Sequence, residues 1–140
     1  MIIVDSREQL PFWSGSQCFK TALKVGDYTT LKLLGKFHIE RKSLIDLYGT
    51  ITKGHYRFKK EILRSKHLRI KLVVVVEGSK EDFRNKNFFK GIEREMEGET
   101  LIKIVNTIER RHGIKFFWTS SRIAAKRKIL RLLKQYDKTI

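Results

Sequence analysis

The sequence predicts an α/β domain in which a mixed β-sheet is flanked by helices. Residues 70–76 form an almost continuous β-branched run, which is typical of a strand covered on both faces. Residues 21–33 and 37–40 are extended segments separated by a Leu-Gly turn, a pattern that favours a hairpin. Later segments repeat apolar residues every three or four positions, as amphipathic helices do. Such alternation indicates layered helices and sheet, with the early hairpin antiparallel and the later strands parallel.

The first half of the chain is predicted to contain three strands and either one broken helix or two helices. Residues 2–4 are a short apolar run ending in charged residues, which suits a buried strand that delivers polar side chains at its end. Pro11 and Gly15 indicate a loop before the hairpin. From Ser43 the apolar spacing becomes helical, and Gly54 interrupts it. The apolar positions of this helical part are Leu44, Leu47, Ile51, Phe58, Ile62 and Leu63.

The second half is predicted to be mainly helical around two strands. The run 70–76 should lie centrally in the sheet. Residues 80–98 are polar and charged, and they predict a loop with partial helix. An amphipathic helix should begin at Thr100 and stop at Gly113, a strand should follow at 114–119, and a last helix should start after a Ser-Ser cap.

The charge of the chain indicates a polyanionic partner. Lys and Arg number 31 against 15 Asp and Glu, for a formal net charge of +16. Such an excess attracts polyanions from solution. Acidic membranes and acidic proteins also bind basic surfaces. Nucleic acid is nevertheless the leading partner class for a composition of this kind.

Length and composition restrict the other classes. With 140 residues and 41% hydrophobic residues the chain fits one domain spanning 1–140. No apolar run approaches the roughly 20 residues that span a bilayer, and the start does not resemble a secretion signal. Cys18 is the single cysteine, which excludes an internal disulfide and a thiolate metal cage. We expect an intracellular protein, located in the cytoplasm or nucleoid if prokaryotic or viral and in the nucleus if eukaryotic.

Asp27, Glu40 and Lys42 are the candidate reactive residues. Residues two apart on a strand point to the same face, so Glu40 and Lys42 can enter one site, and a hairpin can bring Asp27 beside them. Two carboxylates suit a hard cation such as Mg²⁺, with Mn²⁺ as a substitute. The ion can activate water while an ammonium stabilises charge on a phosphate. Surface charge is the alternative explanation, because 33% of the chain is charged.

Two segments widen this pattern into a family resemblance. Gly26-Asp27-Tyr28, followed by Ile39-Glu40-Arg41-Lys42-Ser43-Leu44-Ile45-Asp46, resembles the signature of the XPF-type structure-specific endonucleases. That signature is Gly-Asp, then Glu-Arg-Lys, three further residues and an Asp. Residues 4–8 are similar to the first strand of that nuclease domain, and residues 49–58 to the segment after its signature. The resemblance covers most of the chain and implies a restriction-endonuclease-like fold of the PD-(D/E)XK class.

The resemblance also implies roles for individual residues. Asp27 and Glu40 would ligate the metal, with the main-chain carbonyl of Arg41 as a third ligand, and Lys42 would position the attacking water. Asp5 would be an additional metal or water ligand. Residues matching those that support the site in such enzymes are Arg7, Glu8, Arg41 and Asp46. Arg41 and Asp46 could pair as a brace, and an ordinary surface salt bridge is the alternative.

Two surfaces are candidates for macromolecular contacts. Arg7, Arg41 and a basic stretch after Gly49 could grip phosphates flanking the cut, and a solvated helix face explains that stretch nearly as well. The basic stretch contains Lys53, His55, Arg57, Lys59 and Lys60. Of the aromatic residues 116–118 at most one should face outward. With the last helix it could form a patch for a homodimer or heterodimer, as related nuclease domains commonly do.

The chain also departs from the family. Relatives usually add a tandem helix-hairpin-helix module, and some add a helicase domain, whereas residues 1–140 show neither. We expect a metal-dependent endonuclease of DNA repair or recombination that cuts forked, flapped or otherwise branched DNA, or a nickase. A non-catalytic DNA-binding or scaffold subunit is the main alternative. An RNA-binding module ranks last, because it would need aromatic residues on an open sheet face.

Overall fold

The computed structural model describes residues 1–89 and 96–139, in which a single sheet is flanked by helices. Residues 90–95 of the segment predicted as loop and partial helix lie outside the described residues; the earlier part contains a short helix and a 3₁₀ turn at Lys86–Phe89. The elements are β1 (Ile2–Asp5), β2 (Cys18–Thr21), β3 (Tyr28–Thr30), β4 (Phe37–Ser43), α1 (Leu44–Ile51), α2 (His55–His67), β5 (Lys71–Glu77), α3 (Lys80–Arg84), α4 (Gly98–His112), β6 (Lys115–Trp118) and α5 (Arg122–Thr139).

The sheet is mixed, as predicted, with the strand order β2-β1-β3-β4-β5-β6. β3 runs antiparallel to both β1 and β4, whereas β4, β5 and β6 are mutually parallel. β5 lies between β4 and β6, so the run 70–76 is an interior strand, but it is the second strand from the edge and not at the predicted centre of the sheet. β2 pairs in parallel with β1 at the edge and was not predicted, because its four residues alternate too briefly to show a pattern.

Each face of the sheet carries its own hydrophobic core. Val74 and Val76 of β5 point towards α1, α2 and α4, while Val73 and Val75 point towards α5. This alternation follows from the two-residue period of a strand. Because helices cover both faces, β5 needs no polar position between Leu72 and Val76, which explains its unbroken apolar sequence.

Local signals set the helix boundaries. Ser43 caps α1, since its Oγ accepts the N–H of Asp46 at 3.1 Å. The helical segment after Ser43 is two helices, separated by a turn that ends at Gly54. α4 begins at Gly98, two residues before the predicted start, and ends at Gly113, whose φ of 67° is the left-handed conformation that glycine accepts readily.

Gly26 fixes the turn that leads into β3. Its φ is +74°, and a Cβ added there would lie 3.1 Å from the Cβ of His38 and 3.2 Å from the carbonyl oxygen of Ile39. We expect Gly26→Ala to lower the free energy of unfolding by about 2–4 kcal/mol, since left-handed backbone costs an L-residue about 1–2 kcal/mol and crowding adds to it.

Urea denaturation measures this cost, and Gly35→Ala is the matched control. Gly35 also has a positive φ, of +79°, but an added Cβ there meets nothing within 4 Å. The free energy of unfolding of Gly35→Ala should therefore fall only by the cost of the left-handed backbone, about 1–2 kcal/mol. Equal losses in the two variants would contradict a role for the close approach of Gly26 to β4.

No helix among the described residues is long and apolar enough to cross a membrane.

Candidate active site

The turn before β3 and the end of β4 bring Asp27, Glu40 and Lys42 together. The N–H of Asp27 donates to the carbonyl of Ile39 at 2.8 Å, and its Oδ2 accepts the N–H of Arg41 at 2.7 Å. These two bonds hold Asp27 against β4. Lys42 Nζ lies 3.0 Å from Oε2 of Glu40, as expected for residues on one face of a strand.

The Glu40 carboxylate is close enough to Asp27 to affect its pKa. Burial and then the charge of Glu40 raise the pKa of Asp27 well above its usual value, while the Arg41 N–H opposes that rise. Burial alone would lower the pKa of Lys42, but the charge and hydrogen bond of Glu40 outweigh it, so the net pKa is raised. Lys42 is therefore a cation that neutralises part of an acidic centre.

Asp5 and Arg7 hold the loop that carries Asp27. The buried Asp5 accepts the N–H of Leu23 at 2.8 Å, and its main-chain N–H donates to the carbonyl of Asp27 at 2.8 Å. Arg7 pairs with Asp5 at 3.0 Å while most of its own side chain is exposed. Asp5 thus supports the position of Asp27, and its predicted role as a metal or water ligand stays a prediction. Arg7 is accessible for the predicted contact with DNA.

The Arg41 side chain points away from the Asp27 and Glu40 carboxylates. It is held by Glu8, in the loop after β1, and by Glu77, the last residue of β5. Its Nε and Nη2 donate to the two oxygens of Glu8 at 2.9 and 2.8 Å, and its Nη1 donates to Glu77 at 2.7 Å. The Arg41 and Glu8 side chains are only 8% and 7% exposed. These bonds raise the pKa of Arg41, and they lower that of Glu8 despite its burial.

The predicted brace between Arg41 and Asp46 is therefore wrong. Asp46 is an exposed residue in the first turn of α1 and lines the same side of β4 as Glu40 and Lys42. Arg41, one residue out of phase, points to the other side. Burial of its guanidinium against two carboxylates also contradicts the prediction that the Arg41 side chain grips DNA.

A cleft of about 720 Å³ opens over Glu40 and Lys42, between β4, α1 and α2. Of the predicted basic stretch, Lys53, Arg57 and Lys60 line it, whereas His55 is exposed on α2 outside the cleft. Arg64, which was not predicted from the sequence, extends the basic wall by about one turn of α2 beyond Lys60. The cleft thus has an acidic floor and a basic side.

Glu61 is the acidic residue of this cleft that was not predicted from the sequence. It lines the same cleft from α2 and is partly buried. Burial and then the charge of Glu40 raise its pKa to about 7, against the opposing effects of Lys42 and the N–H of Gly26. The only sequence signal was its place between Arg57 and Arg64, at helical spacing, on a face that otherwise carries cations.

The donor chemistry fits a small hard cation. Asp27 and Glu40 supply adjacent carboxylate oxygens, and Mg²⁺ is commonly bound by one or two carboxylates while it keeps several waters. Within residues 1–89 and 96–139, no three Asp, Glu, His or Cys side chains gather closely enough to hold an ion by themselves. Remaining ligands would therefore be main-chain oxygen, water or substrate.

The fold is similar to that of the XPF nuclease domain. XPF from Aeropyrum pernix matches with a TM-score of 0.71 and 20% identity, over 96% of this chain and 66% of that chain. XPF from the same organism in complex with DNA matches with a TM-score of 0.68 and 18% identity, over 99% of this chain and 65% of that chain. This chain thus spans just under two thirds of the length of those chains.

The sequence pattern of the ERCC4 domain matches residues 4–132, so this chain belongs to the ERCC4 domain family, the family of XPF-type nucleases. No curated protein matches the chain.

The C-terminal part of the fold forms a second, cationic groove. It has a volume of about 600 Å³ between β6 and α5 and is lined by Arg127, Lys128 and Arg131 around residues 116–119. Phe116 is buried, while Phe117 and Trp118 are half-buried. Lys115 and Lys128 lie 4.9 and 4.6 Å from the centre of the Phe117 ring. None of the three aromatic side chains is fully exposed.

Proposed function

We propose that this chain is a divalent-metal-dependent DNA endonuclease that hydrolyses phosphodiester bonds in branched, flapped or forked DNA or nicks duplex DNA. The observation that carries the proposal is the convergence of Asp27, Glu40 and Lys42, of which Glu40 and Lys42 line a cleft with a basic wall. Membership of the ERCC4 domain family supports it. The similar XPF chain that was solved in complex with DNA supports DNA as the partner.

Each element of the cleft has a part in the proposed hydrolysis. Asp27 and Glu40 would hold Mg²⁺ or Mn²⁺, with the carbonyl of Arg41 as a further donor. When bound, the ion supplies Lewis-acid chemistry and lowers the pKa of water. Lys42, held by Glu40, orients the attacking water and offsets charge that grows on the phosphate. Phosphates on either side of the cut lie along the basic wall: Lys53, Arg57, Lys60 and Arg64.

The preference for branched DNA follows from how such a wall binds. Contacts to phosphates are independent of sequence, so they supply affinity but no base recognition. DNA that is already bent or opened costs less free energy to fit into a concave surface than intact duplex does. A role in DNA repair or recombination, where such structures form, is part of the proposal, and so is the one-domain organisation of residues 1–140.

Cleavage of defined substrates tests the proposal. Labelled fork, flap, duplex and single-stranded DNA are incubated with the protein in Mg²⁺ or in a chelator, beside Asp27→Asn. We expect cutting that needs the metal and is lost in Asp27→Asn, with DNA binding retained. Binding to all four substrates without metal-dependent cutting would instead identify a non-catalytic scaffold.

Acid should weaken metal binding at this site. The raised pKa of Asp27 means that protons compete with the cation for its carboxylate as the pH falls through that pKa. We expect the Mg²⁺ concentration for half-maximal cleavage to rise steadily on acidification, with the maximal rate largely recovered at high Mg²⁺. Metal titrations at several pH values measure this effect. A half-maximal concentration that does not change with pH would contradict it.

Pairing through β6 and α5, as a homodimer or heterodimer, remains a proposal, and the charge of that surface restricts it. The cationic groove carries Arg127, Lys128 and Arg131, and two copies meeting there would repel each other. We expect self-association through this surface to strengthen as salt rises from about 50 to about 500 mM, because screening reduces the repulsion. Sedimentation velocity measures it. A dimer that is tightest at low salt would contradict self-pairing at this groove and point to another surface.

A further inference from the structure

The carboxylate of Glu61 has no part in the hydrolysis proposed above, although it lines the same cleft as Glu40 and Lys42. It lies on α2, on the side of the cleft opposite β4. The N–H of Gly26, next to Asp27, hydrogen-bonds to it, and Glu40 and Lys42 are close enough to act on its charge. A carboxylate from a helix therefore lies near the Glu40 carboxylate of β4 and contacts the turn that carries Asp27.

Glu61 forms no salt bridge with any residue that the structure describes, although cations surround it. Arg57 precedes it by four positions and Arg64 follows it by three, a spacing at which ion pairs on a helix form readily. Arg64 instead donates to the carbonyl of Lys24 at 3.1 Å. Partly buried carboxylates are normally paired or coordinate a cation. Glu61 thus lines the cleft near Glu40 with the Gly26 N–H as a hydrogen-bond donor and without an ion pair to a described residue, so it can accept further hydrogen bonds from solution.

We propose that Glu61 is a positioning residue for the divalent cation of the proposed active site, accepting hydrogen bonds from water molecules that the cation carries. The inference rests on the proposed function. A role through water follows from the absence, in the described parts of the chain, of three acidic, His or Cys side chains close enough to share one ion. Mg²⁺ keeps several of its waters when bound to proteins, so such a carboxylate has partners to contact.

An outer carboxylate of this kind alters metal affinity measurably. Residues that contact a metal through its ligands typically change affinity by about 10–100-fold when they are replaced. Glu61 could instead only offset the positive charge of the basic wall. In that case its replacement would change DNA binding, but metal affinity without DNA would fall no more than when an acidic residue far from the site is replaced. Metal affinity without DNA therefore separates the two roles.

The experiment measures Mn²⁺ binding to the DNA-free protein by the loss of the free Mn²⁺ electron paramagnetic resonance signal. The variants are Glu61→Gln, Glu61→Ala, Asp27→Asn and, as a matched control, Glu81→Gln, which changes an exposed helical glutamate of α3. We expect Glu61→Gln and Glu61→Ala to weaken Mn²⁺ binding by about 10–100-fold, Asp27→Asn to remove it, and Glu81→Gln to leave it unchanged. Mn²⁺ should also raise the thermal unfolding midpoint, fully in Glu81→Gln, less in the two Glu61 variants and not at all in Asp27→Asn.

The outcomes separate the proposed role of Glu61 from the proposed nuclease function. Both Glu61 variants binding Mn²⁺ as tightly as Glu81→Gln would overturn the role of Glu61 while the proposed nuclease still stands, provided that Asp27→Asn loses the metal. A wild-type protein that binds no Mn²⁺ would overturn both. Because Glu61→Gln removes repulsion from Glu40 and preserves shape, we expect it to remain folded, and its urea unfolding curve checks this.

Discussion

Lys42→Met should reduce DNA cleavage by about 10²–10³-fold, the usual cost of removing one group that stabilises charge in a transition state. The ammonium lies 3.0 Å from Glu40, and the side chain is 19% exposed, so a methionine of similar length can fill its place. Single-turnover cleavage with protein in excess over DNA measures the loss. DNA binding in a chelator should change little, because the basic wall that provides it remains intact.

The matched control for Lys42 is Lys36→Met, which removes the same charge from an exposed position in the turn before β4. We expect its cleavage rate to stay close to that of the wild type. Mn²⁺ affinity gives a second distinction, since loss of the ammonium should preserve or strengthen metal binding, whereas loss of a ligand such as Asp27 weakens it. A cleavage loss in Lys42→Met no larger than in Lys36→Met would show that Lys42 only balances charge.

Arg41→Met should be the most destabilising change among those considered, at about 3–5 kcal/mol, because it leaves buried carboxylates without their cation. Glu8 loses both of its hydrogen bonds to Arg41, and among the described residues Glu77 keeps an ion pair only with the partly exposed Arg122, at 3.0 Å. Such a loss is a large part of the 5–15 kcal/mol that typically stabilises a domain. Urea denaturation at neutral pH measures it.

The loss in free energy of unfolding caused by Arg41→Met should depend on pH. Arg41 lowers the pKa of Glu8 in the folded protein, so the stability from this pair is present above the unfolded value of 4.5 and is lost as the pH falls through the folded value. The difference between wild type and variant should therefore shrink in acid. Arg122→Met is the control, because its side chain is 42% exposed and such pairs contribute about 0–1 kcal/mol. If Arg41→Met and Arg122→Met lost the same free energy of unfolding at every pH, the idea that burial makes the Arg41 pairs stronger would be contradicted.

Periodicity and spacing predicted most of the fold. The uninterrupted run of β5 and the helical stripes of α1, α2, α4 and α5 depend on burial, which repeats along the sequence with a fixed period. The early hairpin was predicted from its turn. β2 was missed because four residues at a sheet edge carry little burial pattern. The early start of α4 arises at Glu97, whose extended backbone caps the helix without a capping side chain.

The site was predictable only where its residues are neighbours in the sequence. Glu40 and Lys42 share a face because they are two apart on one strand, and Asp27 reaches them across the predicted hairpin. Glu61 was missed because the angle at which α2 crosses the sheet is set by the packing of Phe58 and Ile62. The partners of Arg41 were missed because Glu8 and Glu77 lie 33 and 36 positions away.

The pairing of Arg41 with Glu8 and Glu77 separates two roles within β4. The strand is anchored through the buried Arg41 guanidinium, while the residues immediately before and after it extend into the cleft. Under the proposed function, one side of this three-residue segment stabilises the fold and the other side carries the chemistry. Because the buried Arg41 fixes the backbone between them, the carboxylate of Glu40 and the ammonium of Lys42 keep their mutual position with few anchoring contacts beyond their own ion pair.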